Sequence, residues 1–378
     1  MRAVVAMLAA LTIFAAATAP LAAQEPARLR WFKGNTHTHT LNSDGDSTPD
    51  EVVRWYREQK YNFLVLSDHD MVTRVEGLNA IYGAPAAVGL DRRPDVPTNS
   101  FLLIAGEELT DKFSPREVAG ETVKGRDLTR KEIHLTALDP RRPVAPQGGA
   151  TIPEVLQRDV DAIRAASGVP LINHPNFTWA LGAPDLKGLR GVRLLEIWNG
   201  HLQTHNLGGG GHPGVEAIWD EVLSSGTLLY GVAADDAHFF QRLGVPTAIS
   251  APGRAWVMVR APELSAEAIV AAMERGDFYA STGVELADYK VSEKAITVAV
   301  KPFSRSKYDV VFIGKGGRVL KQVPIDPDLS GSLPTSRLAP VAPPAVYELR
   351  GDEGYVRAKV VESNGAMAWT QPVMVAAR

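Results

Sequence analysis

The fold is decided by the stretch GNTHTHTLNSDGDSTPDEVVRWYREQKYNFLVLSDHD, residues 34–70. Residues 32–40 are predicted to form a strand, and strand alternation places the imidazoles of His37 and His39 on one face. The apolar run at residues 63–66 is typical of a buried parallel strand, and it leads directly into the polar sequence SDHD. Polar side chains gathered at the ends of parallel strands are how α/β barrels build their sites. The stretch therefore predicts a strand–helix–strand unit that brings histidine and aspartate to one edge of a sheet.

The helix between these two strands carries strong starting signals. Thr48 and Glu51 have the spacing of a capping box, and Pro49 suits the first helical position. Further along the chain, apolar residues at helical spacing predict three more helices, each followed by glycine. The four predicted helices cover about residues 48–60, 151–167, 215–225 and 265–275.

Strand and helix alternate from about residue 27 to residue 283, which predicts a parallel sheet. Polar residues follow nearly every predicted strand, and this favours a closed or distorted barrel over an open sheet, whose ligands concentrate at one switch point. Residues 284–378 change in character, because short alternating strands are separated by glycine-containing turns. They predict a small all-β, sandwich-like C-terminal domain, with a proline-rich loop at residues 324–344.

Composition limits the classes of function. The chain has 378 residues, of which 45% are apolar and 22% charged, which is typical of a globular protein with room for two domains. The formal net charge is −3, so no basic surface is predicted for nucleic acid. The chain contains no cysteine, which excludes disulfides and thiolate ligands. Any metal must therefore be bound through nitrogen and oxygen.

The N-terminal segment resembles a signal peptide. An arginine at position 2 precedes an apolar, alanine-rich run at residues 4–17, and small residues before Gln24 form a cleavage candidate. The run is shorter than the roughly 20 residues needed to span a bilayer. We expect residues 1–23 to be removed and the mature protein to be exported, periplasmic or secreted, without a membrane anchor.

Nine polar residues stand at or near the ends of the predicted strands: His37, His39, Asp44, His69, Glu108, His134, His174, Asp236 and His238. Six of the nine histidines of the chain belong to this set, which scattered surface histidines would not produce. Imidazole and carboxylate suit Zn, Mn or Fe. Nine ligands exceed the needs of one ion, so two or three divalent metals are predicted, with a metal-bridging hydroxide as the nucleophile of a hydrolase.

The motifs GNTHTHTLNSDG, NFLVLSDHD, IAGEELT, LINHP and AADDAH resemble, in this order, those of the PHP (polymerase and histidinol phosphatase) family. The resemblance covers about residues 30–283. It implies a distorted (β/α)7 barrel with a two- or three-metal site, and hydrolysis of phosphoesters, the activity of most characterised members. A secreted two-domain branch of the family also includes a carbamate hydrolase.

The resemblance also implies roles for individual residues. It makes all nine residues of the set metal ligands, with Asp44 at a third metal and Glu108 as the bridging carboxylate, although Glu107 stays an alternative. Asp68 is implied to support the ligands from behind and is a catalytic candidate. Apart from the resemblance, His201, His205 and His212 flank a glycine-rich loop and are candidates for substrate contact or proton donation to the leaving group, with a solvated loop as the alternative.

Three functions are weighed from the sequence. The first is an exported metal-dependent phosphoesterase that acts on a phosphorylated small molecule. The second is a carbamate, ester or amide hydrolase using the same metals, which a pocket with apolar and aromatic walls and no arginine or lysine would favour. The third is a binding module with structural metals, which the large ligand number and the absence of cysteine disfavour.

Overall fold

A computed structural model describes residues 29–83, 101–241, 249–303, 306–326 and 343–375. The expected signal peptide at residues 1–23 lies outside the described residues, and so does most of the proline-rich loop at 324–344. No helix in the described part of the chain is long and apolar enough to cross a membrane.

The first nine strands belong to the N-terminal three quarters of the chain. They are β1 (Arg30–Asn35), β2 (Phe63–Leu66), β3 (Leu102–Phe113), β4 (Lys131–Leu138), β5 (Val169–Ile172), β6 (Leu194–Asn199), β7 (Tyr230–Ala234), β8 (Trp256–Ala261) and β9 (Phe278–Ser281). The helices are α1 (Pro49–Glu58), α2 (Glu76–Tyr82), α3 (Pro115–Val118), α4 (Ile152–Ala165), α5 (Ala183–Leu186), α6 (Val215–Ser224) and α7 (Ala266–Arg275).

Local signals in the sequence correctly placed the start of α1 and both ends of α7. Thr48 Oγ1 accepts the N–H of Glu51, and the Glu51 carboxylate accepts the N–H of Thr48, so the predicted capping box at α1 is confirmed. Ser265 caps α7 through the N–H of Ala268, and Gly276 ends the helix with a φ of 77°. Only glycine adopts that left-handed conformation at little cost, which explains the stop.

Strands β1 to β7 lie side by side in chain order, forming a mixed α/β structure around one sheet. The pairs β1–β2, β2–β3, β5–β6 and β6–β7 are parallel. An isolated parallel bridge then joins Thr38, beyond the end of β1, to Ala237, beyond the end of β7. This bridge brings the segments after the first and seventh strands together at the edge that carries the polar residues.

The predicted parallel pairing holds for these four pairs but is wrong at β4. β4 is antiparallel to both β3 and β5. The physical reason is the connection, because residues 114–130 contain only the short α3 and cannot form the helical crossover that a parallel pair requires. β3 is long and continues to Phe113. β1 ends at Asn35, before the two histidines, whereas a strand over residues 32–40 was predicted.

The remaining strands are β10 (Leu286–Val291), β11 (Ala295–Val300), β12 (Tyr308–Gly314), β13 (Arg318–Ile325), β14 (Ala345–Glu348), β15 (Tyr355–Glu362), β16 (Met367–Thr370) and β17 (Val373–Met374). Strands β10, β11 and β14 form a separate three-stranded sheet. Strand β16 pairs with β9, so the C-terminal strands continue the main sheet. Side chains from both groups share one apolar core that includes Val298, Phe312 and Val360.

A buried charged network connects β15 to α6. Arg357, 1% exposed, donates from Nε to Asp220 Oδ1 at 2.7 Å and from Nη2 to Asp220 Oδ2 at 2.8 Å. Tyr355 donates to the same carboxylate at 2.7 Å, and the Arg357 guanidinium lies 4.7 Å above the ring of Trp219. This bidentate pair links the C-terminal strands to the part of the chain that carries the polar site.

Candidate metal centre

Backbone pairing beyond the strand ends positions the first and last motifs. The N–H of Asp236 donates to the His37 carbonyl at 3.0 Å, and the N–H of His39 donates to the Ala237 carbonyl at 2.9 Å. His69 similarly pairs with Glu108, one strand further along the sheet. Segments that are 200 residues apart in the sequence therefore present their side chains to one another at a single edge.

Glu108 lies at the centre of this assembly and is 1% exposed. Its Oε2 is 3.0 Å from His37 Nε2 and 3.1 Å from His39 Nε2. Its Oε1 is 3.1 Å from His134 Nδ1 and 3.1 Å from His174 Nε2. Because each oxygen faces a different set of imidazoles, this carboxylate lies where a ligand bridging two ions would lie.

Two aspartates complete the ring of donors. Asp236 Oδ1 is 3.2 Å from His39 Nε2. Asp44 Oδ1 is 3.4 Å from His39 Nδ1 and 3.3 Å from His238 Nε2, and Asp44 Oδ2 is 3.7 Å from His69 Nε2. The structure thus brings all nine of the predicted ligands together.

Among the described residues, the donors form four overlapping groups in which the ligand atoms all lie within 4.8 Å of one another: His39, Asp44, His69 and His238; His37, His174 and Asp236; His37, His39 and Glu108; and His69, Glu108 and His134. Each group mixes imidazole with carboxylate, the donor set that suits Zn²⁺, Mn²⁺ or Fe²⁺.

The contacts themselves fit divalent cations. His37 Nε2 and His39 Nε2 lie 3.1 Å apart, and the same two atoms face oxygens of Glu108 and Asp236. Lone pairs that converge in this way repel one another unless positive charge lies between them. His134 Nε2 is buried and has no hydrogen-bond partner in the described chain. A buried ring nitrogen without a partner is costly in a protein that lacks a ligand for it.

The electrostatics of the cluster also favour bound cations. Burial opposes a charge on His39, but hydrogen bonds to Asp236 and Glu108 outweigh it and raise the pKa of this imidazole to about 9. Burial alone would raise the pKa of Glu108, yet the surrounding imidazoles, His37 foremost, hold that pKa well below its usual range. The three carboxylates therefore create a strongly negative site that favours bound positive charge.

Glu196 and Ser250 fix two of the imidazoles from behind. Glu196 Oε1 lies 2.7 Å from His37 Nδ1, and Glu196 Oε2 accepts the backbone N–H of His174 at 2.8 Å. Ser250 Oγ lies 3.0 Å from His238 Nδ1. When Nδ1 is occupied in this way, the Nε2 lone pair faces the site, which is the arrangement by which supporting groups orient metal-bound histidines. From the sequence, Glu196 stands at the end of a predicted strand near the site, where a supporting role and a direct one were both open.

Asp68 supports the site without lining it. It is fully buried, and its Oδ1 accepts the N–H of Thr40 at 2.7 Å and the hydroxyl of Ser43 at 2.8 Å. Its Oδ2 accepts the Thr73 hydroxyl at 2.7 Å. These hydrogen bonds hold the loop that carries Asp44, so the structure places Asp68 in a positioning role.

The two adjacent glutamates point in opposite directions from β3. Glu108 faces the histidines, whereas Glu107 Oε2 accepts the backbone N–H of Val144 at 2.8 Å. Burial raises the pKa of Glu107 to about 7. The structure therefore brings Glu108, and not Glu107, into the cluster.

His205 and His212 lie outside the cavity. The rings of both stack on Trp179, with centroid distances of 4.5 and 4.3 Å and interplanar angles of 11° and 12°. Asn176 Nδ2 donates to the carbonyls of His205 and Pro213 at 3.0 and 2.9 Å, which fastens the glycine-rich loop to this tryptophan. The structure gives both histidines a role in holding the loop, and it does not bring them to the cluster.

The cluster forms the floor of a cavity of about 280 Å³. The described residues that line it are Asp44, His69, Glu108, His134, His174, Phe177, His201, Gln203, Asp236, His238, Phe239 and Ile249. None of these is lysine or arginine, and Phe177, Phe239 and Ile249 provide an apolar side. Of the three histidines considered for substrate contact, His201 is the one that lines this cavity, and burial lowers its pKa to about 4.

Comparisons with known proteins give remote structural matches. No family model and no curated protein matches this chain. One match is a solved two-domain protein from Bacteroides vulgatus that contains a predicted PHP-like metal-dependent phosphoesterase. It is 14% identical to this chain, and the match covers 91% of this chain and 96% of that chain with a TM-score of 0.42. An amidohydrolase from Chromobacterium violaceum, solved with bound sulfate and no metal, is 16% identical over 55% of this chain and 88% of that chain, with a TM-score of 0.31.

A structure described as a metal-dependent phosphoesterase from Bifidobacterium adolescentis is 15% identical, covering 58% of this chain and 92% of that chain, with a TM-score of 0.33. Similarity at these values assigns neither a family nor an activity. The argument for function therefore rests on the site of this chain.

Proposed function

We propose that this chain is a metal-dependent hydrolase of the PHP type, built on a distorted (β/α)7 barrel and using two or three divalent ions. The observation that carries the proposal is Glu108, whose two oxygens each face a separate pair of imidazoles. A structural site usually closes around four ligands. A cluster of nine donors at the floor of an open cavity is more typical of a catalytic metal site than of a structural one.

The chain's own residues supply the framework of the reaction. The nine donors would hold the metals, and Glu196 and Ser250 keep His37 and His238 in the tautomer that binds. When bound, divalent ions would activate a water molecule as nucleophile and polarise the bond that breaks. The apolar side of the cavity limits the access of further water to the substrate.

The described cavity lining favours a carbonyl substrate over a phosphoester. A phosphate group carries charge that arginine and lysine usually help to bind, and the described lining contains neither. Phe177, Phe239 and Ile249 instead suit an uncharged group beside the metals. We therefore place esters, carbamates and amides first and keep phosphoesters as the second candidate, which the motif resemblance supports.

A matched panel of substrates tests this proposal. The purified mature chain, loaded with Zn²⁺ or Mn²⁺, is assayed with p-nitrophenyl esters, carbamates, phosphomonoesters and phosphodiesters, since all release the same chromophore. Glu108→Gln, assayed at the same concentration, subtracts spontaneous hydrolysis. We expect turnover of the carbonyl compounds that Glu108→Gln lacks. Absence of turnover on every class would overturn the proposal, and turnover of phosphates alone would reverse the order of the candidates.

Export belongs to the same proposal. The alanine-rich segment before residue 24, with its preceding arginine at position 2, supports it. Expression of the full chain in a Gram-negative host, followed by fractionation and N-terminal sequencing, tests it. A periplasmic product that begins near Gln24 is expected, and an uncleaved cytoplasmic product would contradict it.

A further inference from the structure

His201 is a cavity residue that none of the metal-ligating groups includes. It lines the cavity beside Gln203 and His238, and its ring centroid lies 5.8 Å from that of His238 at an angle of 61°. In the described chain it belongs to no group of donors that could hold an ion. His201 thus lies beside the cluster without belonging to the ligand set. A residue in such a position is placed to contact a substrate.

The turn that carries His201 is firmly held. The N–H of His201 donates to Asn199 Oδ1 at 2.8 Å, and its carbonyl accepts the hydroxyl of Thr204 at 2.7 Å. The following residue, Leu202, donates its N–H to the carbonyl of Ile249 at 2.9 Å, across the cavity wall. The backbone under the imidazole is thus fixed on both sides, which keeps the ring from moving away from the cavity.

A backbone hydrogen bond selects the tautomer of this ring. The N–H of Gln203 donates to His201 Nδ1 at 3.3 Å. A nitrogen that accepts a hydrogen bond carries no proton, so the neutral ring carries its proton on Nε2. Nδ1 is turned toward its own turn by this hydrogen bond, which leaves Nε2–H as the ring's available donor in a residue that lines the cavity. No described residue accepts a hydrogen bond from this N–H.

We propose that His201 is a substrate-contacting hydrogen-bond donor, whose Nε2–H binds an oxygen of the scissile group. This inference rests on the proposed hydrolytic function. During hydrolysis the bond from water oxygen to the scissile centre forms and the bond to the leaving oxygen breaks, with its electron pair going to that oxygen. The His201 proton stays on the ring. The attacking water releases one proton to solvent water, and the leaving oxygen takes one proton from solvent water. A fixed donor of this kind stabilises charge that develops on oxygen.

Two substitutions of His201 distinguish hydrogen-bond donation to the substrate from a purely structural role. Gln places an amide N–H close to the position of the imidazole Nε2, whereas Leu of similar size places none there. We expect His201→Leu to lower kcat/KM about 100-fold and His201→Gln to stay within about 10-fold of the wild type. Metal content should be unchanged in both. Leu202→Ala, an exposed change in the same turn, is the matched control and should behave as the wild type.

Substrates with leaving groups of different basicity identify the oxygen that is bound. A loss in His201→Leu that grows as the leaving group becomes more basic indicates the leaving oxygen, and a uniform loss indicates the other oxygen. Either pattern supports the proposal. Equal losses in His201→Gln and His201→Leu, or an unchanged kcat/KM in His201→Leu, would overturn it.

A second readout does not depend on activity. Ring ¹⁵N spectra of the zinc-loaded protein, with His201 assigned through His201→Gln, report which nitrogen carries the proton. We expect the Nε2–H tautomer, and an Nδ1–H tautomer would contradict the inference even in an active enzyme. A wild type inert on every substrate would instead refute the proposed function, while the spectra still test the tautomer.

Discussion

Replacing Glu196 by Gln changes one buried atom and removes the charge that orients His37. Glu196 Oε1 lies 2.7 Å from His37 Nδ1, and its Oε2 accepts from the His174 N–H at 2.8 Å and from Asn199 Nδ2 at 2.9 Å. Both oxygens therefore face donors. In either amide orientation of Gln, an NH₂ group points at an N–H group, and at least one of these donors loses its acceptor.

The expected effect is on metal affinity. Groups that hold a metal-binding histidine from behind typically contribute 10–100-fold in affinity, which corresponds to about 1.4–2.7 kcal/mol. We expect Glu196→Gln to weaken metal binding within this range, because His37 is then free to adopt the other tautomer or to rotate. Competition between the protein and a chromophoric chelator, at fixed pH, measures the dissociation constants directly.

Glu107→Gln is the control for this experiment. Glu107 is equally buried and lies next to Glu108 in the chain, but its carboxylate accepts only the N–H of Val144 among the described residues. The amide can make the same hydrogen bond, so metal affinity should be unchanged. Equal affinities for Glu196→Gln and the wild type would refute the orienting role of Glu196. A weakening in Glu107→Gln equal to that in Glu196→Gln would show that the effect is not specific to the site.

Three other perturbations have definite outcomes. Burial, with the nearby Asp111, raises the pKa of Asp159 to about 8. The folded state therefore favours the protonated acid. As pH rises from about 4 to 8, the free energy of unfolding should fall by at most about 1.4 kcal/mol per pH unit. Asp159→Asn should flatten this slope in urea unfolding, and an unchanged slope would contradict the assignment. Arg357→Met leaves Asp220 buried without its cation, which should cost about 3–5 kcal/mol in the same assay; a cost below about 1 kcal/mol would show that the pair does not couple α6 to β15. Dialysis against a chelator should lower Tm and zinc or manganese should restore it, because a ligand that binds only the folded state stabilises it by mass action; an unaltered Tm would argue against metal in the cluster.

Short-range signals in the sequence located much of this structure. The capping box at Thr48 and the helix end at Gly276 depend on neighbours within four residues, so both can be predicted from a short stretch of sequence. Most of the ligand residues were also recognisable, because they stand in short motifs such as THTH, SDHD and NHP at or near predicted strands. The structure brings these residues together at one edge, with Glu108 in the middle.

Long-range pairing was harder to predict. The antiparallel direction of β4 depends on the connection of residues 114–130, whose composition resembles a loop of any kind. The ladder between β9 and β16 joins segments almost 90 residues apart and crosses the boundary that the change in composition indicated. Stacking of His205 and His212 on Trp179 likewise depends on the path of two loops. None of these contacts leaves a local pattern in the chain.

The central claim is that nine side chains from separate motifs bind a small group of divalent ions. Anomalous diffraction from crystals of the metal-loaded protein, recorded on both sides of the zinc or manganese absorption edge, tests it most directly. We predict at least two peaks within the cluster, one of them against the Glu108 carboxylate. Crystals that show the nine side chains in place around Glu108, with no anomalous peak among them at saturating metal, would contradict the claim.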